Sequence, residues 1–299
     1  MSNDFVSKSN PKMKILFKTL TILPLKIGFY LIDCLLFITP INFLQLLSSF
    51  QVTKKNLTIA FPGLSKKEIL QLSKRSFIET IKSFYETLYC WSRSSEKIIA
   101  QTKKINNRFL FSQSQNSTGL IIFAIHNRSI DFLLRWMSTQ RQHTSLYKTI
   151  KSKKVNNFVK RIREEGGNKM VPTGIGGVKS IIAALKNNQM TCMASDQVPA
   201  DGLGKYSKFF GHECFSFSLA PSLAQKTNMP ILMASLSYDS SIGHIMTFQK
   251  PDEKIYGDTG VDVMNQEMET EILKRPEEYS WEYKKFRKLS KEPKDIYKN

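Results

Sequence analysis

The run Gly119-Leu120-Ile121-Ile122-Phe123-Ala124-Ile125 constrains the fold more than any other stretch of the chain. It is apolar, has the length of a strand, and opens on a glycine. It ends in His126-Asn127-Arg128-Ser129-Ile130-Asp131. Ser129 can cap a following helix, Asp131–Met137, with Asp131 in its positive first turn. A histidine at a strand end and a carboxylate one helical turn later can meet across the turn. The carboxylate then fixes the imidazole tautomer and stabilises the imidazolium, which makes His126 a general base with Asp131 as its partner. A histidine capping a strand beside a solvated aspartate has the same spacing, so the rest of the chain must decide.

Downstream, strands alternate with helices. Thr144–Ile150 precedes a helix at 152–164, and Lys169–Pro172 precedes one at 177–187. Met190–Ser195 reads as a strand ending in Asp196-Gln197. Pro230–Tyr238 and His244–Phe248 add two more, separated by the turn Asp239–Gly243. Upstream, Ile69, Leu72, Phe77, Ile81, Phe84, Leu88 and Trp91 recur at helical spacing over 66–91, with Lys74, Lys82 and Glu86 off that face. This order predicts an α/β fold, a mixed sheet flanked by helices, with functional residues at strand ends. His126, Arg128, Asp196 and Gln197 can then share one crevice.

The chain has 299 residues, enough for one sizeable core, and 44 Lys and Arg against 25 Asp and Glu, a net charge of +19. Such a balance points to an anionic partner. Residues 1–18 carry Lys8, Lys12, Lys14 and Lys18 against Asp4. Ile27–Phe50 is long enough to cross a bilayer, although Asp33, Asn42 and Gln45 interrupt it and Pro40 breaks it. We expect a basic tail at 1–19, a membrane anchor at 20–50 and a catalytic domain at 51–299. Lys26 before the apolar stretch and Lys54 and Lys55 after it suit a monotopic anchor on the cytoplasmic face. No small-residue cleavage site marks a signal peptide. Cys34, Cys90, Cys192 and Cys214 form no CxxC pair, which reads as a reducing compartment. The four histidines do not pair at ligand spacing, so no metal is expected. No nucleic-acid module is recognisable, and the basic residues do not interleave with stacking aromatics.

Residues 148–169 concentrate positive charge. Lys148, Arg161 and Arg163 are candidates for a phosphate clamp, against the plainer reading of a solvated helix face. Gly174-Ile175-Gly176-Gly177 fits neither a Walker nor a Rossmann frame and reads as a tight strand-to-helix turn. Phe209, Phe210, Phe215 and Phe217 can line an acyl tunnel, although ordinary core is the plainer reading.

In this order the pieces resemble the bacterial lipid A late acyltransferases, the lauroyl/myristoyl transferases of lipopolysaccharide synthesis, within the lysophospholipid acyltransferase-like superfamily. Lys54–Pro62 looks like the family's segment after the anchor, and His126 to Asp131 matches its catalytic box. Tyr147-Lys148, Arg161-Ile162-Arg163, Gly176–Lys179, Ala184–Lys186, Asp196-Gln197 and Phe209–Gly211 follow in the family's order. Pro276–Trp281 and Lys284–Phe286 look like its closing signature. Many members have Gly-Asn-Trp-Glu where this chain has Arg128–Asp131, a form closer to glycerophosphate-type acyltransferases. The Glu-Gly-Thr-Arg block of that branch is absent from 170–177.

The resemblance implies transfer of a fatty acyl chain from an acyl carrier protein thioester, with acyl-CoA as the alternative donor. The acceptor is a hydroxyl of a phosphorylated lipid A precursor at the inner membrane, and no cofactor is needed. His126 deprotonates the hydroxyl, Asp131 orients His126, and Arg163 stabilises the oxyanion or an acceptor phosphate, without an acyl-enzyme. The acidic carrier protein docks on the basic face. Two alternatives stand beside this: an acyltransferase of glycerophospholipids or other membrane lipids, and a non-catalytic basic membrane-binding protein.

Overall fold

The computed structural model describes residues 11–113, 117–291 and 295–298, so the first ten residues of the expected basic tail lie outside the described residues. The N-terminal helices are α1 (Pro11–Leu20), α2 (Leu25–Ile38), α3 (Ile41–Leu44), α4 (Ser48–Ala60), α5 (Lys66–Ser92) and α6 (Ser95–Gln101). β1 (Thr102–Asn106), α7 (Arg108–Gln113), β2 (Leu120–Ala124), α8 (Ile130–Gln140), β3 (Thr144–Tyr147) and α9 (Lys153–Arg163) follow. Then come β4 (Lys169–Pro172), α10 (Ile175–Lys186), β5 (Met190–Ala194), β6 (Gly204–Phe209), β7 (His212–Phe217) and α11 (Leu219–Thr227). β8 (Ile231–Asp239), β9 (Gly243–Gln249) and α12 (Gly260–Lys274) precede an irregular C-terminal strap from Pro276 onward.

The main sheet runs β1-β9-β8-β2-β5, parallel except for the hairpin β8/β9, which confirms the expected mixed α/β architecture. All five residues of β2 are buried. Ile121 and Phe123 pack on α11 and α12 through Ala224, Met264 and Met268, while Leu120 and Ile122 pack on Phe132 and Trp136 of α8. A strand covered on both faces has no polar side to offer, which is why its sequence is continuously apolar. β3 and β4 leave the main sheet and pair only with each other, joined to β5 by the bridge His143↔Met190.

α5 begins where Ser65 and Glu68 form a reciprocal capping box, a local device worth about 1 kcal/mol. Its periodicity reading needs two corrections. Phe84 is 61 % exposed, whereas Glu86 is fully buried and Lys82 nearly so. Helical spacing locates a stripe but not its width, and here α2, the turn before α8 and strand β9 close around the polar side as well, through Asp33, Arg128 and His244.

The expected anchor is broken into pieces by Pro24, Pro40 and the turn at Leu47. No single described helix is long and apolar enough to cross a membrane. One bent pair, Lys12–Leu20 with Leu25–Ile38 at 58°, is so by length and composition. One side of these helices docks on the body through Leu25, Phe29, Leu44 and Phe50. The other side leaves Ile22, Phe37, Ile38 and Leu46 more than 70 % exposed.

Candidate active site

β2 and β5 are parallel neighbours with Ala124 opposite Ala194. Two residues further on, His126 and Asp196 therefore leave the sheet side by side. Asp196 Oδ1 lies 2.8 Å from His126 Nδ1, and Asp196 Oδ2 accepts the His126 backbone N–H at 3.3 Å. An ionised carboxylate can only accept, so Nδ1 carries the proton and Nε2 keeps its lone pair. The Gln197 amide stands 3.3 Å from Nε2 and can donate to it. Burial opposes charge on His126, yet the Asp196 carboxylate outweighs it and lifts the imidazole above its ordinary value. Burial would also raise the Asp196 carboxyl, but His126 and Lys285 hold it below its ordinary value.

This arrangement corrects the expected dyad. Asp131 sits in the first turn of α8 as anticipated, but its carboxylate is taken by Arg163 at the end of α9. Nε and Nη2 of Arg163 donate to the two Asp131 oxygens at 2.6 and 2.8 Å, a bidentate fork, and the guanidinium lies 5.4 Å from the Tyr147 ring centre. Asp131 thus fixes Arg163, and Asp196 fixes His126. The Arg163 charge is already balanced by a carboxylate, which weakens its case as a free oxyanion clamp.

The turn between His126 and α8 is held from three sides. Arg128 has φ 60°, a left-handed conformation that costs a non-glycine residue about 1 kcal/mol. Its N–H donates to Glu278 O at 3.3 Å, and Ser280 N–H donates to His126 O at 3.0 Å. Ser129 caps α8 as expected, its Oγ accepting from Phe132 N–H, while its own N–H donates to Glu86 at 2.9 Å. Arg128 is among the residues lining the crevice, but its guanidinium turns to carboxylate partners. Its guanidinium is fully buried against Glu79 and Glu86, between the rings of Phe29 and Tyr238 at 4.9 and 5.3 Å. Glu86 also bonds His244 Nε2. Lys82 bonds Glu79 at 2.9 Å and Asp33 at 2.6 Å, so the charge that interrupts the apolar N-terminal run is one end of this network.

Burial pushes the Glu278 carboxyl up to about 7, against the pull of Arg128 and Arg275. The folded state thus binds a proton more tightly than the unfolded chain, with its ordinary value of 4.5. The resulting stabilisation is complete below the ordinary value and is lost as pH rises through about 7. Glu278→Gln, which can still accept from Tyr238 N–H and Arg275, should be more stable than the parent above pH 7. The gain should reach as much as about 3 kcal/mol and fade toward pH 5. Thermal unfolding measured across that range checks it; parallel curves for the two proteins would refute it.

A cavity of about 460 Å³ opens beside His126. His126, Asp131, Lys148, Arg163 and Gln197 line it, together with the apolar Leu134, Met137, Met170, Cys192 and Met193. A second cavity, about 100 Å³, shares Asp131, Leu134 and Arg163 with it, so the Asp131–Arg163 fork stands at the boundary between the two. Lys148 and Arg163 thus fall at the site. Arg161 lies over Phe158, 6.0 Å from the ring centre, outside the lining of either cavity. Of the four candidate tunnel phenylalanines, Phe217 lines the cavity, whereas Phe209 and Phe210 pack into the core. The Gly174–Gly177 turn is a tight one: a Cβ on Gly177 would lie 2.0 Å from Pro172 O. Among the described residues no cluster of His, Cys, Asp and Glu could hold a metal.

Sequence reading missed Glu86, Glu278 and Lys285. The sequence places Glu86 only on the polar side of the helix at 66–91, and Glu278 and Lys285 only within the closing signature, because the burial of each arises from elements distant in the chain.

An imidazole held in the Nδ1–H form stands at the mouth of a largely apolar cleft that also carries lysine and arginine, a setting that suits an amphiphilic, anionic ligand. A model of the bacterial lipid A biosynthesis acyltransferase family matches residues 37–288, and the chain belongs to that family. It is accordingly an acyltransferase of lipid A synthesis, with an acyl donor and a lipid A precursor as its substrates. No curated protein matches the chain significantly.

Proposed function

We propose that the chain transfers a fatty acyl group from an acyl carrier protein thioester to a hydroxyl of a lipid A precursor, with His126 as base and Asp196 as its orienting partner. The observation that carries this is the 2.8 Å contact between His126 Nδ1 and Asp196, which leaves the Nε2 lone pair, beside the Gln197 amide, to take the proton once the hydroxyl displaces that amide. The hydroxyl oxygen then attacks the thioester carbonyl, the thiolate leaves, and the imidazolium returns its proton to that thiolate. Among the residues lining the cavity, no serine sits against His126 as an activated nucleophile, which favours direct transfer over an acyl-enzyme.

The apolar side chains Leu134, Met137, Met170, Cys192 and Met193 suit an acyl chain, and Lys148 suits the phosphate of the acceptor or of the carrier's prosthetic arm. The exposed Ile22, Phe37, Ile38 and Leu46 support a monotopic seat on the cytoplasmic face of the inner membrane.

The test offers the purified protein, on anionic vesicles, acyl carrier protein thioesters or acyl-CoA together with a tetra-acylated lipid A precursor, and separately lysophosphatidic acid. Mass spectrometry reads the gain on each acceptor, and sedimentation with the vesicles reads the membrane seat. Acylation of the lipid A precursor from the carrier thioester, reduced at least about 10²-fold in His126→Ala, is the expected result. Acylation of lysophosphatidic acid instead, or full activity in the variant, would overturn it.

A further inference from the structure

Behind Asp196 lies a lysine that this reaction scheme does not use. Lys285 is 1 % exposed, and its ammonium has no hydrogen-bond partner among the described residues. Nζ stands 4.5 Å from the centre of the Phe209 ring. The strap puts it there. Lys285 N–H donates to Tyr283 O at 2.8 Å, the Tyr283 hydroxyl accepts Val198 N–H at 3.0 Å, and Arg287 donates to Val198 O at 3.2 Å. These bonds clamp the strap over the turn that begins at Asp196. From the same strap, burial and the Asp196 charge hold the Tyr279 phenol neutral.

Burial loosens the proton on Lys285; the nearby Cys214, Asp196 and Glu269 act against that, and Arg287 adds to it. Asp196 faces His126, Tyr279 and Lys285, and His126 faces Asp196, Glu282 and Arg163. An ammonium buried without a direct partner is costly, and a methionine would match its length without that cost.

We propose that Lys285 is a positioning residue acting through Asp196: buried in the strap that closes over the 196–198 turn, it supports the Asp196 carboxylate in its seat beside His126. The inference rests on His126 being the base. Asp196 alone would make the imidazole more basic and leave it protonated over more of the neutral range. A cation behind the carboxylate opposes that. Removing it makes every proton on the pair easier to bind.

In Lys285→Met the His126 imidazole should therefore titrate about one pH unit higher than in the parent. The chain has four histidines, so ¹³C-histidine spectra can follow His126, assigned by its absence in His126→Gln. The acid limb of kcat/KM should move by the same amount, with activity recovered at higher pH. Lys285→Arg should bring both back toward the parent, and Lys285→Gln repeats the experiment if the methionine variant does not fold. A purely structural role would lower activity at every pH and leave the titration in place. The spectra need no substrate, so a moved titration with no lipid acylated would sink the reaction and leave the coupling standing. A folded neutral variant in which His126 titrates as in the parent overturns the proposal.

Discussion

Asp196→Asn should lower kcat by about 10²–10⁴-fold while the protein stays folded. Both carboxylate oxygens accept from His126, one from Nδ1–H and one from the backbone N–H. An amide has one acceptor to offer. If its oxygen faces Nδ1, its NH₂ meets the backbone N–H, donor against donor. If it turns over, the NH₂ faces Nδ1, which must then become the acceptor, and Nε2 carries the proton it is meant to receive. Either way the base is lost or misplaced, and the His126 titration should move down as the carboxylate charge disappears. Asp131→Asn acts differently because its partner is Arg163. Its loss should act through the position of Arg163, with the acid limb of kcat/KM staying where it is. Measuring pH profiles of both variants separates the two carboxylates. A shifted limb in Asp131→Asn and an unshifted one in Asp196→Asn would reverse the assignment.

The largest expected effect on stability is that of Glu86→Ala, a loss of about 3–5 kcal/mol. Glu86 is fully buried and serves the Arg128 guanidinium, His244 Nε2 and Ser129 N–H at once. Truncation removes one of the three carboxylates that face the buried Arg128 cation and leaves two donors without an acceptor. Since domains are stable by only about 5–15 kcal/mol, this is a large share of the total. Denaturant unfolding should show it as a lower midpoint with an unchanged slope. Glu86→Gln keeps the shape and one acceptor oxygen and should fall between the two. A Glu86→Ala midpoint within experimental error of the parent would mean that the network contributes no net stability.

That network shows where sequence reading reached its limit. α5 was legible from its stripe and from the Ser65–Glu68 box, because capping and helical period are local. The burial of Lys82 and Glu86 on its other side was not, because it depends on Asp33, Arg128 and His244, contributed by three separate elements. The apolar stretch at 27–50 was legible as apolar. Its breakage at Pro40 was visible too, but its docking through Leu25, Phe29 and Phe50 belongs to the packed structure.

The sequence by itself determined the strand at 120–124, the cap at Ser129 and the helix after it, and so placed His126 at a strand end in a mixed α/β fold. It also placed Asp196 at the end of another strand. Which carboxylate serves His126 was decided only by tertiary structure. A spacing of five residues leaves Asp131 within local reach, yet Arg163 occupies it. Asp196, seventy residues away, arrives because β2 and β5 are hydrogen-bonded in register. Strand neighbours are set by the packing of the whole sheet, and no local pattern of residue types encodes them.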